Sequence, residues 1–475
     1  MNLYRLDHFY SLDFDLAIFG QGVWLLSRGD VPFVTIRGLN LFGEHATWIH
    51  LPVALLFAVL GPLADVRVLV LLQSGALALA GLFLYRIAGR EVGASAGILV
   101  LLSYLLHPAL QHTWLEYYEP VSLAVPCLVA ATQAVREGRD RPALLWSLIA
   151  LSTIENVAAT VLALGGYALA AGRRRLGLGL VGVASVHLLV IMRVTFPWLS
   201  EHGYVFADRL YGDFAESLPQ AVAYLARPDH FLGRLATPAN GRYLLGLLVP
   251  VAFLPLAAPA TLAVAAQLPL NLVSSWPYAH DIRYHYVAPI VPFVLLSLVR
   301  ALARFPAGSW RRRGAAGALA IGIGAGQVLY GSAWIVPREG PRFWRGLAED
   351  AEERAFVQAL LARLPPEASV SAHYRFLPAL CRRSRLFMFP DTGPEGTWPD
   401  ALVVDEAGLD AASKDAVTLR RARAEAGYRE VARTARGTVL LFRGDGEGPP
   451  AEPGALRRSP PIARPGGLDA PMPRK

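Results

Sequence analysis

The chain has 475 residues, of which 54% are hydrophobic and only 17% are charged. About a quarter of the residues in soluble domains are charged, so this composition excludes an ordinary soluble enzyme and is typical of a membrane protein. The formal net charge is +8, but the arginines lie in short clusters between apolar runs. No basic stripe with interleaved aromatics is formed, which argues against a nucleic-acid partner.

These arginine clusters predict the topology. The positive-inside rule places such clusters, here near Arg86, Arg136, Arg173 and Arg304, in cytoplasmic loops. Segments between two cytoplasmic loops must cross the membrane an even number of times. The parity predicts an α-helical polytopic domain over residues 66–336 with about ten transmembrane helices.

The apolar runs supply these crossings. One of them, Ala143–Ala171, is too long for a single ordinary helix and has Glu155 and Asn156 near its middle. Two short helices that meet at this pair are therefore predicted. The other predicted crossings are Val66–Tyr85, Gly93–Leu110, Pro120–Val135, Leu176–Trp198, Tyr243–Ala257, Pro259–Ser275, His285–Leu302 and Ala315–Val336.

The first 65 residues are predicted to form an outer segment. The apolar stretch Trp48–Leu60 is short for a crossing and suits an interfacial helix. No signal peptide opens the chain. The polar start leaves two alternatives open, since either a first membrane helix is encoded upstream or the topology is inverted.

Residues 337–443 are predicted to form a small C-terminal α/β domain on the extracytoplasmic side. Short β-branched or aromatic runs alternate there with helical stretches. The remainder, residues 444–475, is rich in proline and glycine and is predicted to be disordered. The predicted strands are Ala368–Ser371, Arg385–Phe389, Ala401–Val404 and Thr438–Phe442, and the helices are Phe376–Arg382 and Lys414–Ala426.

Acidic and histidine side chains collect on the predicted outer face, where costly buried charges are often functional. Asp15 could instead cap the following helix. Glu116 and Glu119 could be solvated loop residues, whereas Glu155 lies in an apolar stretch and needs a partner. The full candidate set is Asp15, Glu44, His45, Glu116, Glu119, Glu155, Asn156, His280, Asp281, Arg283 and His285.

No spacing among these residues matches a nucleotide-binding loop, a zinc motif or a nucleophile elbow. No cofactor is therefore predicted. The several outer carboxylates leave a divalent metal open, but no ligand spacing supports one.

Several segments, in this order along the chain, resemble the membrane family called domain of unknown function 2079, a distant relative of the GT-C glycosyltransferases. The resemblance spans roughly residues 10 to 445. The matching segments are Phe14–Gln21, Phe42–His45, Leu115–Pro120, Glu155–Asn156, His285–Pro289 and Leu364–Ser371. Departures from the family pattern occur at Gly20, Glu44, Glu119, Ile154 and Asn156.

The resemblance implies a multi-pass enzyme of the cell inner membrane. Such an enzyme takes a sugar from a membrane lipid donor, a polyprenyl phosphate, and attaches it to an acceptor on the extracytoplasmic side. Asp15 matches the acidic residue that acts as general base, while Glu44, His45, Glu116 and Glu119 are further catalytic candidates. From charge alone, Arg283 and His285 would suit the donor phosphate. Two alternatives stay open, a transporter or flippase of a lipid-linked molecule and a non-catalytic membrane scaffold.

The topology can be tested with reporter fusions. Alkaline phosphatase is active only outside the cytoplasm, so a fusion after Val336 should be active and a fusion after Arg313 should be silent. The reverse pattern of activity would overturn the predicted orientation.

Overall fold

The computed structural model describes residues 2–9, 14–201, 203–331, 351–394, 397–407 and 409–443. The predicted disordered tail, residues 444–475, lies outside the described residues, as does the end of the last predicted crossing. Helices dominate the described chain, and strands form one small hairpin and one C-terminal sheet.

The N-terminal segment consists of short elements. His50–Leu60 is helical, as the apolar stretch predicted, and Asn40 starts the helix before it by accepting a hydrogen bond from the Phe42 backbone N–H. The helices are α1 (Asn2–Asp7), α2 (Asp15–Ser27), α3 (Leu41–Glu44) and α4 (His50–Leu60), and the strands β1 (Phe33–Val34) and β2 (Leu39–Asn40) form a hairpin.

The described residues between Val66 and Tyr330 form fifteen further helices, with some short 3₁₀ turns. They are α5 (Val66–Glu91), α6 (Ala94–Leu105), α7 (Pro108–Leu115), α8 (Val121–Arg136), α9 (Asp140–Leu151), α10 (Val157–Ala170), α11 (Arg174–Leu199), α12 (Ala207–Tyr211), α13 (Leu218–Leu225), α14 (Pro228–Leu235), α15 (Pro238–Leu248), α16 (Pro259–Leu262), α17 (Gln267–Val273), α18 (Val291–Ala303) and α19 (Trp310–Tyr330).

Among the described residues, two helices, α5 and α11, are long and apolar enough to cross a membrane unaided. A third span results if α6 and α7, which are bent by 50° at their junction, count as one. Proline explains several interruptions, because Pro250 and Pro255 divide the predicted crossing Tyr243–Ala257 into α15 and two 3₁₀ turns. The count of about ten crossings stays a prediction.

The predicted break in Ala143–Ala171 is confirmed. Helix α9 ends at Leu151 and α10 begins at Val157, with Glu155 in the turn between them. The Ser152 and Thr153 hydroxyls donate to carbonyls three residues back, which offers the backbone an alternative to continuing the helix.

The C-terminal domain contains a five-stranded mixed sheet, so its predicted α/β character is confirmed. Its order is β4-β3-β5-β7-β6, with β3 parallel to both neighbours and β7 antiparallel to both of its own. The charged edge strand β6 was not predicted. The elements are α20 (Ala351–Ala362), α21 (Leu377–Leu380), α22 (Lys414–Glu425), β3 (Val370–Ala372), β4 (Leu386–Met388), β5 (Ala401–Asp405), β6 (Tyr428–Arg433) and β7 (Thr438–Arg443).

The C-terminal domain packs against the N-terminal segment. Gln21 in α2 donates to the Arg383 carbonyl at 2.9 Å, and the Thr35 hydroxyl donates to the Leu386 carbonyl at 2.7 Å. Apolar residues of both regions form one buried cluster that includes Leu16. This contact fixes the start of α2 relative to the sheet.

Close packing of α10 on α11 depends on glycine. A Cβ at Gly177 would lie 2.8 Å from the Gly165 carbonyl oxygen, whereas a Cβ at Gly182 would meet nothing within 4 Å.

Gly177→Val should therefore lower the unfolding temperature of the purified protein by several degrees, since overpacking costs about 1 to 3 kcal/mol. Gly182→Val is the matched control in the same helix. Equal unfolding temperatures for the two variants would contradict this packing.

Candidate active site

A cavity of about 1210 Å³ lies where the N-terminal segment, the membrane helices and the C-terminal domain meet. Each of the three regions supplies charged residues to its wall. Asp15 comes from the first region, Arg193 from the second and Lys414 from the third. The sequence-predicted residues that line it are Asp15, Glu44, His45, Glu119, Glu155, Asn156 and His285.

Asp15 is the first residue of α2 and is half-buried. The N-cap position before it is held by Phe14, which makes no side-chain cap. Asp15 is therefore not the N-cap residue, and its carboxylate lies at the wall of the cavity near the positive end of the helix dipole.

His45, which is partly exposed, and Glu155, which is buried, form an ion pair at the helix break. The His45 Nδ1 lies 2.9 Å from Glu155, whose side chain is only 3% exposed. The Ala46 backbone N–H donates to the second carboxylate oxygen at 3.2 Å, and the Tyr204 hydroxyl lies 3.5 Å from the first. The carboxylate that the sequence left without a partner is thus held by the N-terminal segment. Neighbouring Asn156 also lines the cavity.

Burial by itself would lower the pKa of His45, but the Glu155 carboxylate and its hydrogen bond outweigh burial and raise that pKa above its ordinary value of 6.5. Glu44 and Asp15 act in the same direction. The imidazole is therefore a cation at the cavity wall over a wider pH range than a free histidine.

Glu44 is also paired, and it lies at the end of α3. Its carboxylate accepts a hydrogen bond from Arg37 Nε at 2.6 Å and is nearly buried. The sequence did not predict Arg37 as the partner of Glu44, because the fold of the β1–β2 hairpin, and not a regular spacing in the sequence, brings the two side chains together.

A second cluster consists of Glu116, Glu119 and His285. The His285 Nδ1 lies 3.1 Å from Glu116 and 3.3 Å from Glu119, and the His285 backbone N–H donates to Glu116 at 2.7 Å. One ligand atom from each residue lies within 4.8 Å of the others, so these residues could hold a divalent cation. Glu116 is buried behind the wall and does not line the cavity.

Three further predicted residues, His280, Asp281 and Arg283, also do not line the cavity. His280 contacts the Asn271 carbonyl, and Asp281 forms an ion pair with Arg283 at 2.7 Å. Burial would raise the pKa of Asp281, but the hydrogen bonds and charge of Arg283 lower it. The exposed Arg283 is thus neutralised beside the cavity rather than inside it.

Besides Arg37, sequence reasoning missed two further arginines that line the cavity, Arg193 and Arg209. Arg193 had a signal that could have revealed it, since it is a cation inside the long apolar run Leu176–Trp198, where charges are costly. Arg209 had none, because charged residues are common in the segment between the predicted crossings where it lies. The apolar part of the wall includes Leu188, Met192, Leu210, Phe214, Val222, Leu225 and Leu270.

His45→Gln tests the ion pair through pH. Because the pKa of His45 is raised on folding, its stabilisation is complete below about pH 6.5 and is lost as pH rises through the raised pKa. The free energy of unfolding lost in the variant should be on the order of 3 kcal/mol near pH 6 and should decrease toward pH 9. The measurement is thermal unfolding in detergent across this range.

His280→Gln is the matched control, since that imidazole has no carboxylate partner among the described residues. A loss of stability in His45→Gln that stays constant with pH would show that the pair is not ionic.

The fold is shared with solved structures. ArnT from Cupriavidus metallidurans bound to undecaprenyl phosphate matches with a TM-score of 0.57 and 14% identity, covering 94% of this chain and 97% of that chain. The apo state of ArnT matches with a TM-score of 0.52 and 14% identity, covering 92% and 96%. At this identity the likeness establishes the fold alone.

No curated protein matches the chain in sequence. The family description "Predicted membrane protein (DUF2079)" matches residues 5–440, which is nearly the whole chain. This range includes the cavity and both clusters, as well as most of the C-terminal sheet. The chain belongs to the DUF2079 family of predicted membrane proteins.

Proposed function

We propose that the chain is a GT-C-like glycosyltransferase that moves a sugar from a polyprenyl-phosphate donor to an acceptor. The observation that carries the proposal is the cavity, whose wall is charged in one part and apolar in another. A lipid-linked sugar has the same division, with an apolar chain on one side of its phosphate and hydroxyl groups on the other.

The solved neighbours support the lipid part of the proposal. ArnT, whose fold this chain shares, was crystallised with undecaprenyl phosphate. The cavity here also has apolar residues from α11, α13 and α17 that would accommodate a prenyl chain. The resemblance to GT-C enzymes, the fold and the cavity thus favour the same class of donor.

In the proposed reaction, Asp15 acts as general base. The acceptor hydroxyl attacks the anomeric carbon of the sugar, and the bond from that carbon to the phosphate oxygen breaks. The hydroxyl proton passes to the Asp15 carboxylate, and polyprenyl phosphate leaves with the bonding electrons. A half-buried carboxylate at the cavity wall suits this role, because a base must reach the proton it removes.

The other residues of the wall would position the substrates. His45, held by Glu155, presents a cation that can donate to substrate oxygens, while Arg37 keeps Glu44 paired. A metal is not part of this mechanism. We place the reaction on the extracytoplasmic face of a multi-pass inner-membrane protein, the side to which the arginine clusters assign the cavity.

A transporter of lipid-linked molecules is the second candidate, and the size of the cavity is what favours it. Such a protein would bind the same lipid without breaking a bond. The two functions differ in their dependence on Asp15, since transport needs no general base.

Asp15→Asn is the decisive substitution. Membranes that contain the chain would be given undecaprenyl phosphate carrying a radiolabelled hexose or pentose, and the release of undecaprenyl phosphate and the labelled product would be measured. Loss of the general base should reduce transfer by at least about a hundredfold. The variant should stay folded and unfold within a few degrees of the wild type, because asparagine is close to aspartate in size and loss of a charge at a helix N-terminus costs only about 0.3 to 1 kcal/mol.

Asp208→Asn is the matched control, since Asp208 is exposed and does not line the cavity. It should retain full transfer. Unchanged transfer in Asp15→Asn would remove Asp15 as the base. Lipid binding without any transfer in the wild type would favour the transporter.

A further inference from the structure

The basic side chains of the cavity divide into two groups. Arg37, His45 and His285 each lie within ion-pair distance of a carboxylate. The second group has no carboxylate within that distance among the described residues, and its members are Arg193, Arg209 and Lys414. Arginines left without a counter-charge in a partly enclosed site favour an anionic ligand.

The position of Arg193 at the cavity wall coincides with an irregularity in helix α11. The helix changes to a π-helical turn over Ile191–Thr195, and Arg193 is the middle residue of that turn. Such turns inside α-helices are frequent at functional sites, because one inserted residue changes which side chains face a given surface. Arg193 is exposed to the cavity within an otherwise apolar run.

Arg209 is held by aromatic rings. Its guanidinium carbon lies 5.6 Å from the centroid of the Phe206 ring and 5.1 Å from that of the Trp276 ring. Phe206 also contacts His45, whose ring stacks on it at 4.5 Å between centroids. Contacts of this kind orient a guanidinium while leaving its N–H groups available to a ligand. They also place Arg209 one ring away from the His45–Glu155 pair.

Both arginines border the apolar part of the wall. Met192 precedes Arg193, Leu210 follows Arg209, and both apolar residues line the cavity. Lys414 is different, because it is followed by Asp415 and belongs to the C-terminal domain. From this adjacency we place the boundary between the apolar and the charged part of the wall at the two arginines.

We propose that Arg193 and Arg209 bind the phosphate of a polyprenyl-phosphate ligand at this boundary. The prenyl chain would lie along the apolar residues, and the group attached to the phosphate would extend toward His45. Guanidinium groups suit this task, since their planar N–H pairs match phosphate oxygens. This assignment deepens the proposed function and rests on it for the identity of the ligand. Arg193 and Arg209 replace Arg283 as the candidate residues for binding the phosphate.

The test measures binding rather than transfer. The purified full-length protein in detergent would be titrated with farnesyl phosphate, a short polyprenyl phosphate, and affinity would be read from the shift in unfolding temperature. Farnesol and inorganic phosphate are the two partial ligands. The wild type should bind farnesyl phosphate at least tenfold more tightly than either.

Arg193→Gln should weaken binding of farnesyl phosphate about tenfold or more, because a hydrogen bond to a charged group is worth roughly 1.5 to 3 kcal/mol. Arg209→Gln should do the same. Arg193→Gln has no ion pair to lose among the described residues, so the variant should fold even if Arg209→Gln does not. The control is Arg242→Gln, an exposed arginine of α15 that does not line the cavity and should bind as the wild type does.

Wild-type affinity in Arg193→Gln would overturn the proposal. So would equal binding of farnesol, which would show a lipid groove without a phosphate site, or equal binding of inorganic phosphate, which would show a site for the free anion. Failure of the transferase proposal is separate, because Asp15→Asn should still bind farnesyl phosphate. Weakened binding in the arginine variants together with full transfer in Asp15→Asn would retain the phosphate site and reject the base.

Discussion

The structure depends on one electrostatic constraint, a carboxylate placed inside an apolar hairpin. Glu155 is almost fully buried, and an unpaired charge in such a place costs several kcal/mol. Its partner His45 comes from the N-terminal segment, more than a hundred residues earlier in the chain. Satisfying this charge brings the N-terminal segment onto the membrane helices and forms one wall of the cavity.

The C-terminal domain completes the same arrangement. Hydrogen bonds from Gln21 and Thr35 join α2 and the β-hairpin to the sheet. The residues that enter the cavity from this domain, among them Tyr374 and Lys414, therefore face the start of α2 across a common space. Three regions that are distant in sequence meet because each satisfies polar groups of another, and the ligand space is what remains between them.

Pairing also separates the charges that support structure from those available to a ligand. Glu44 with Arg37, Glu155 with His45 and Asp281 with Arg283 are closed pairs whose partners are all within the chain. Arg193 and Arg209 have no such partner among the described residues, yet they line the cavity. An anionic ligand would supply the missing charge, which is why the same geometry supports both the donor class and the position of its phosphate.

Composition and periodicity by themselves determined the membrane character, the hairpin break at Glu155 and four of the five strands of the C-terminal sheet. These features are local, since burial cost, hydroxyl competition and β-branched runs act over a few residues. Which outer residues share a cavity was decided only by the tertiary structure. His280 and His285 are five residues apart in one loop, yet only His285 reaches the cavity, because packing rather than spacing sets the direction of each side chain.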